Sequence, residues 1–412
     1  MLWEEVAITQ LFKAVVRIIL TSALIIYFLI DRVIDKRPSP KLQYKWPIVL
    51  YISYLLLGIA SFLWSTSISQ SLLQWIMDFE SFVFAVFFML VLAKKDNYSD
   101  IDIFKLNKVL APAITLIALW FLIGKFTDPD RFYRLTHGGE VARLGGFIIN
   151  PNELGMLLVV GIACLLPLIL NKEKYSISVI LSIALMLYLL VLTGSRSSFF
   201  AMLLAVMLYA LKNPAPIFKI GITLAVIVSI PLVGYNLFVK QGNIDEVMSA
   251  TGRLPFWNDL LTYNFPREPF FGYGYMRIDY SDKFESLNAY AGAMTHNTFL
   301  QVLLGLGLVG LVLVLSQLAA FFYSLIKCQD NYKKQVTALI MIPLLINSFT
   351  EFGIFGETNY GILFYLFILF DCSLEPKGES SRIHEQIKTH DKQQGLPNRF
   401  IPSTRVIRSA VQ

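Results

Sequence analysis

The chain has 412 residues, of which 56% are hydrophobic and only 16% charged, with a mean hydropathy of +0.60. Soluble domains carry about 25% charge, so this composition excludes a soluble enzyme, a disulfide scaffold and a disordered chain, and it describes a polytopic membrane protein. The net charge of +6 is explained by orientation in a membrane and implies no nucleic-acid partner.

A helix needs about 20 apolar residues to cross the hydrocarbon core. Read in chain order, the apolar runs predict eleven spans, at 11–30, 46–64, 74–93, 109–126, 153–171, 175–193, 197–212, 217–239, 297–326, 334–352 and 358–372. Backbone in lipid has to satisfy its own hydrogen bonds, so these runs are helices. Strand-period alternation is absent, which excludes an outer-membrane barrel. Glu4 and Glu5 precede Lys13 and Arg17, and no small-residue cleavage site follows, so the first run is not read as a signal peptide. Pro112, Pro167, Pro231 and Pro343 fall inside spans and predict kinks.

Lysine and arginine orient the bundle. Alternate short loops hold sixteen basic residues, among them Arg32, Lys45, Lys94, Lys108, Lys172, Lys212, Lys327 and Lys333, and are assigned to the cytoplasm. The opposite short loops hold one, Arg196. This places the N-terminus outside and the basic tail, 373–412, inside. The transmembrane unit is 1–372, and its outer face carries two long loops, near 127–152 and 240–296. Loops of this length are functional or disordered. The second has eleven aromatic residues, including Phe256, Trp257, Phe270, Phe271, Tyr273 and Tyr275, so it reads as ordered.

From Tyr175 to Leu211 the chain is apolar except at Thr193-Gly194-Ser195-Arg196-Ser197-Ser198. That length forms a helical hairpin with Arg196 at its outer tip. An arginine there is either a snorkelling anchor or an anion clamp, because guanidinium binds phosphate bidentately and keeps its proton. Arg253 lies in the long outer loop, where alone it reads as a solvated residue and beside Arg196 as a second clamp. Trp257, Leu260 and Leu261 after it suggest a helix lying on the membrane. His296 sits at the outer mouth of the span 297–326, placed either to cap and anchor a helix or to move a proton near neutral pH.

Asp78 and Glu80 are expected at the outer surface rather than inside the third span. Glu351, at the outer end of the tenth span, is positioned to face the same site as His296. Asn150-Pro151-Asn152-Glu153 reads as a turn and helix cap with a site role. Cys164, Cys328 and Cys372 are too dispersed for a disulfide framework or a structural zinc, and no metal or cofactor is expected. Gly305-Leu306-Gly307-Leu308-Val309-Gly310 matches a dinucleotide-binding pattern in letters only. Inside an apolar span its glycines are expected to let helices pack closely.

The order Leu192-Thr193-Gly194-Ser195-Arg196, Thr251-Gly252-Arg253, Pro269-Phe270-Phe271-Gly272-Tyr273-Gly274 and His296-Asn297-Thr298-Phe299-Leu300-Gln301 resembles the O-antigen ligase and O-antigen polymerase family. Asn150-Pro151-Asn152-Glu153-Leu154-Gly155 also fits its usual order, and the resemblance covers roughly 145–365. It implies an all-α bundle of about 11–12 spans, GT-C-like, with a long periplasmic loop, in a bacterial inner membrane. It implies a metal-independent inverting glycosyltransferase whose donor is an undecaprenyl-diphosphate-linked glycan. The acceptor is lipid A core for a ligase and another lipid-linked repeat for a polymerase. Arg196 and Arg253 would hold the diphosphate and His296 would act on the acceptor hydroxyl. Ser195, Asn297, Trp257, Tyr273, Asn152 and Glu351 are the candidate substrate-binding residues around them. The competing reading, a polysaccharide flippase or transporter, needs polar residues spread along several spans or inverted repeats.

Overall fold

The computed structural model describes residues 15–30, 42–94, 103–136, 141–170, 177–212, 252–287, 294–351, 353–356 and 359–374. The predicted span 217–239 and almost all of the basic tail lie outside these residues. Helices α1 (Val15–Ile30), α2 (Trp46–Ala60, with a 3-10 turn to Leu63), α3 (Ile68–Lys94) and α4 (Ile103–Thr127) open the chain. A short helix, α5 (Pro129–Phe132), and a hairpin of β1 (Tyr133–Thr136) and β2 (Val141–Leu144) follow. The remaining helices are α6 (Pro151–Leu170), α7 (Ile177–Thr193), α8 (Arg196–Lys212), α9 (Arg253–Asp259), α10 (Thr298–Lys327), α11 (Asn331–Thr350) and α12 (Tyr360–Ser373).

Five of the described helices, α2 with its extension, α3, α4, α6 and α10, are long and apolar enough to cross a membrane. Four shorter helices, α1, α7, α8 and α12, are also apolar. The fold is therefore an all-α polytopic membrane bundle, and each predicted span within the described residues overlaps a helix. Pro112, Pro167 and Pro343 lie inside α4, α6 and α11.

Helix α6 is the centre of one half of the bundle. It is apolar all round, as a helix enclosed by others should be, and 83% of its membrane-length stretch is buried. It packs on α4, α7, α8 and α11. Two glycines allow these approaches. A Cβ on Gly161 would lie 2.7 Å from both Ile114 of α4 and Met186 of α7, and one on Gly155 would lie 2.8 Å from the Ser198 hydroxyl of α8.

In the other half α10 packs on α2, and α10 is broken. Gly307 has φ +67° and ψ −165°, outside any helix. The break frees backbone groups that lipid could not satisfy. The loop before it supplies their partners. Tyr273 and Gly274 donate to the carbonyls of Leu304 and Gly305, and the amides of Leu308 and Val309 donate to Pro269 and Phe270. The glycine-rich run thus admits a loop strand rather than a neighbouring helix. A Cβ on Gly307 would meet the Phe270 carbonyl oxygen at 2.2 Å, and one on Gly272 the Leu304 carbonyl oxygen at 2.4 Å.

Two further expectations are corrected. Asp78 lies in the third turn of α3, 1% exposed, and accepts from the Tyr275 hydroxyl at 2.6 Å. Helix α3 starts at Ile68, earlier than the hydropathy run, and this draws Asp78 inside. Glu80 pairs with Arg17 of α1 and accepts from the Thr21 hydroxyl at 2.7 Å. The helix after Arg253 is short, and its apolar side packs on protein. Phe256 and Leu260 are buried with Tyr273, Met276, Ile278, Leu300 and Leu304, while Leu261 remains exposed.

At one end of the bundle, Ser373 of α12 accepts from the amides of Gln43 and Tyr44, and Lys333 pairs with buried Asp371. This end carries Lys45, Lys327 and Lys333. The candidate site is at the other.

Candidate active site

Five chain segments converge at the end of the bundle where α6 begins, α7 turns into α8, α9 and α10 begin and α11 ends. The first is the α7–α8 tip. Thr193 ends α7 with its hydroxyl donating to the Leu190 carbonyl, and Gly194 takes φ +61°, so α8 can start at once with Arg196. Ser195 is 2% exposed, and its hydroxyl donates to Ser198 at 2.8 Å. Arg196 is half-buried as the first residue of α8.

The second segment is the β-hairpin. Leu144 is fully buried and anchors β2, and Arg143 stands opposite Arg134 across the strand pair. The chain then turns at Gly145 and Gly146, where φ is +128° and +62°. Side chains there would strike Ile149 and Arg131 backbone oxygens at 2.7 and 2.2 Å. The turn delivers Asn150, whose side chain accepts from the Asn152 amide at 2.9 Å and caps α6.

Glu351 is the hub. It follows the last residue of α11 and is 5% exposed. Its Oε1 accepts from Arg253 Nη2 at 2.7 Å and from Asn152 Nδ2 at 2.6 Å, and its Oε2 lies 2.6 Å from His296 Nδ1. Arg253 also donates to the Thr350 carbonyl, so its guanidinium grips both the last turn of α11 and the carboxylate beside it. A buried carboxylate needs such partners. Burial by itself would raise the Glu351 pKa, but the His296 contact and then Arg253 outweigh it and hold the carboxyl below its usual range.

His296 is held in an unusual backbone conformation, with φ +45°, which a non-glycine residue adopts at a cost of about 1–3 kcal/mol. Its surroundings enforce it. Thr295 is fully buried, its carbonyl accepts from Trp257 Nε1 at 2.6 Å, and Asn297 caps α10 by accepting from the amides of Phe299 and Leu300.

The sequence-predicted residues therefore separate into groups. Arg253, His296, Asn152 and Glu351 form one hydrogen-bonded network, and Trp257 and Asn297 fix the backbone around His296. Ser195 braces the hairpin tip through Ser198. Tyr273 is 1% exposed and its hydroxyl donates to the Asn264 carbonyl within the loop.

Arg143 was not among the sequence candidates and belongs here. Its Nε donates to the Thr193 carbonyl at 2.7 Å and its Nη2 to Asn152 Oδ1 at 2.5 Å. It links the hairpin tip to the Glu351 network. Its pKa is pushed down to about 10, first by burial, against the attraction of Glu351, and further by Arg134, Arg196 and Arg253. Glu351 and three other arginines thus lie within electrostatic reach of Arg143. Such a concentration of guanidinium groups suits an anion. No metal-holding group of histidine, cysteine, aspartate and glutamate exists among the described residues.

The class defined by this arrangement is a membrane-embedded helical protein with an arginine-rich polar site, carrying a carboxylate-bound histidine, at one end of the bundle. A family description of the chain narrows it. Residues 181–315, from α7 through the break in α10, match the O-antigen ligase family, which supports the resemblance to O-antigen ligases and polymerases. The matched stretch contains Arg196, Arg253 and His296. The matched family is described by ligase-type activity. No curated protein matches the sequence.

Proposed function

We propose that the protein transfers a glycan from undecaprenyl diphosphate to an acceptor hydroxyl at the periplasmic face of the bacterial inner membrane, with inversion and without a metal ion. The observation that carries this reading is that one buried carboxylate, Glu351, binds both Arg253 and His296, which joins a phosphate-binding group to a proton-accepting one.

In the transfer, the acceptor oxygen forms a bond to the anomeric carbon of the donor sugar. The bond from that carbon to the diphosphate oxygen breaks, and its electron pair leaves with the lipid diphosphate. The departing group gains a negative charge. Arg196 and Arg253 stabilise that charge from fixed positions, which is more effective than groups that reorganise during reaction. The acceptor hydroxyl loses its proton to His296. An ionised carboxylate can only accept hydrogen bonds, so Glu351 favours the tautomer with the proton on Nδ1. Nε2 then carries the basic lone pair. A base on the face opposite the leaving group inverts the centre. The polar arginine end lies away from the end carrying Lys45, Lys327 and Lys333, which supports placing transfer outside the cytoplasm.

The test is a transfer assay with purified full-length protein, a glycosylated undecaprenyl diphosphate and EDTA. Arg196→Ala and Arg253→Ala, folded as wild type, are expected to lose transfer by about 100-fold or more. Wild-type activity in both variants refutes the reading. Lipid A core and lipid-linked repeats offered as alternative acceptors distinguish ligase from polymerase.

A further inference from the structure

Arg143 is a cation that the transfer scheme above leaves without a role. It is carried on β2, outside the stretch matched to the family. Of the five N–H donors of its guanidinium, two are committed, and both go to neutral acceptors, the Thr193 carbonyl and the Asn152 side chain. It forms no contact ion pair among the described residues. Guanidinium groups removed from water are ordinarily paired with an acid. Here Glu351, whose charge attracts it, is already shared by Arg253, His296 and Asn152.

Its position is specific. The side chain lies across the α7–α8 tip, with its Nε 3.4 Å from where a Gly194 Cβ would stand. Two residues further along the tip is Arg196. The Asn152 amide bridges Arg143 on one side and Glu351 on the other, and Glu351 in turn holds Arg253. Arg143 is thereby braced between the tip that starts α8 and the network that holds Arg253, on backbone and side-chain contacts that fix the plane of its fork.

Arg143 adds a third permanent positive charge to those of Arg196 and Arg253. The donor diphosphate bridges a lipid and a sugar and has one ionised oxygen on each phosphorus. The group that leaves has one negative charge more. Two arginines and a carboxylate suit a single phosphate. The third guanidinium, held apart from the Arg253–Glu351 pair, supplies what a second phosphate requires. Fork-shaped donors bind phosphate oxygens in pairs, so an arginine here reads the number of phosphates as well as their charge.

The geometry points to Arg143 as a third arm of the donor site, contacting the second phosphate and making the site selective for lipid diphosphates over lipid monophosphates. The inference rests on the donor class proposed above. It adds a residue and a discrimination that the two-arginine scheme lacks.

The test measures binding of undecaprenyl diphosphate and undecaprenyl monophosphate to the purified full chain in detergent, for wild type, Arg143→Gln and Arg143→Lys. Wild type is expected to prefer the diphosphate. Arg143→Gln should lose about tenfold or more of its diphosphate affinity while monophosphate affinity stays within about twofold. Arg143→Lys keeps the charge and loses the fork, so its preference should fall between the two. Equal weakening of both lipids, or an unchanged preference, assigns Arg143 to packing the hairpin tip and overturns the proposal. If Arg143→Gln does not fold, an undiminished preference in Arg143→Lys overturns it. Wild-type protein that binds neither lipid sinks the donor reading itself, a result separate from failure at Arg143.

Discussion

Oε2 of Glu351 lies 2.6 Å from Nδ1 of His296, across 55 residues of sequence and two different helix ends. The other oxygen of the same carboxylate holds Arg253 and Asn152. The acid therefore sets the tautomer of the histidine and the position of the arginine together, and changes to Glu351 should affect stability and catalysis separately.

Glu351→Ala removes the carboxylate that Arg253 pairs with, and breaking such a buried pair costs about 3–5 kcal/mol. Thermal unfolding in detergent should show a clear fall in Tm. Glu351→Gln keeps the shape and retains more stability, yet an amide can donate to Nδ1 and favour the wrong tautomer. Its transfer rate should fall by about 100-fold or more. Wild-type turnover in Glu351→Gln would remove the carboxylate from the mechanism.

The depressed pKa of Glu351 gives a signed pH dependence. The unfolded chain holds the carboxyl proton more tightly than the folded protein does. The stabilisation is therefore complete above the ordinary value of 4.5 and disappears as pH falls through the depressed folded value. The Tm difference between wild type and Glu351→Gln should not shrink between about pH 7 and pH 5 and should collapse only in stronger acid. A difference already lost by about pH 5.5 would contradict the sign.

Gly307 is the point at which α10 stops being a helix. Gly307→Ala forces a side chain into left-handed backbone and against the Phe270 carbonyl. Beyond the local strain of about 1–2 kcal/mol, it should push the Pro269–Gly274 loop off the freed backbone groups. Lower yield of folded protein and faster proteolysis of the 252–287 loop are the expected readouts. An unchanged Tm and cleavage pattern would mean that the loop does not hold the break together.

Asn297 caps α10 beside His296. Asn297→Ala should cost about 1 kcal/mol of stability, and Asn297→Asp, which can still accept from both amides, should restore it. If Asn297→Asp melts like wild type but loses transfer, the side chain contacts substrate in addition to capping.

Hydropathy alone made the bundle legible, because a span is a local property of about 20 residues. Arg196 stood out for a similar reason, as a single charge interrupting a long apolar run. The network around Glu351 was only partly visible. Its contacts join residues 55, 98 and 199 apart, and no periodicity encodes such distances. Arg143 was missed because an arginine in a loop is ordinary by composition. What sets it apart is the hairpin that turns it onto Thr193 and Asn152. The break at Gly307 was hidden because hydropathy measures the side chains of a span and says nothing of its backbone. Asp78 was misplaced because α3 begins several residues before its apolar run.

In the proposed transfer His296 accepts the acceptor proton while the arginines hold the donor, and one measurement separates these roles. Donor binding and single-turnover transfer would be recorded for His296→Ala against wild type, with saturating donor and acceptor. Donor affinity is expected to stay within about threefold of wild type and the transfer rate to fall by about 100-fold or more. Transfer at the wild-type rate in that variant would contradict the proposed role of His296.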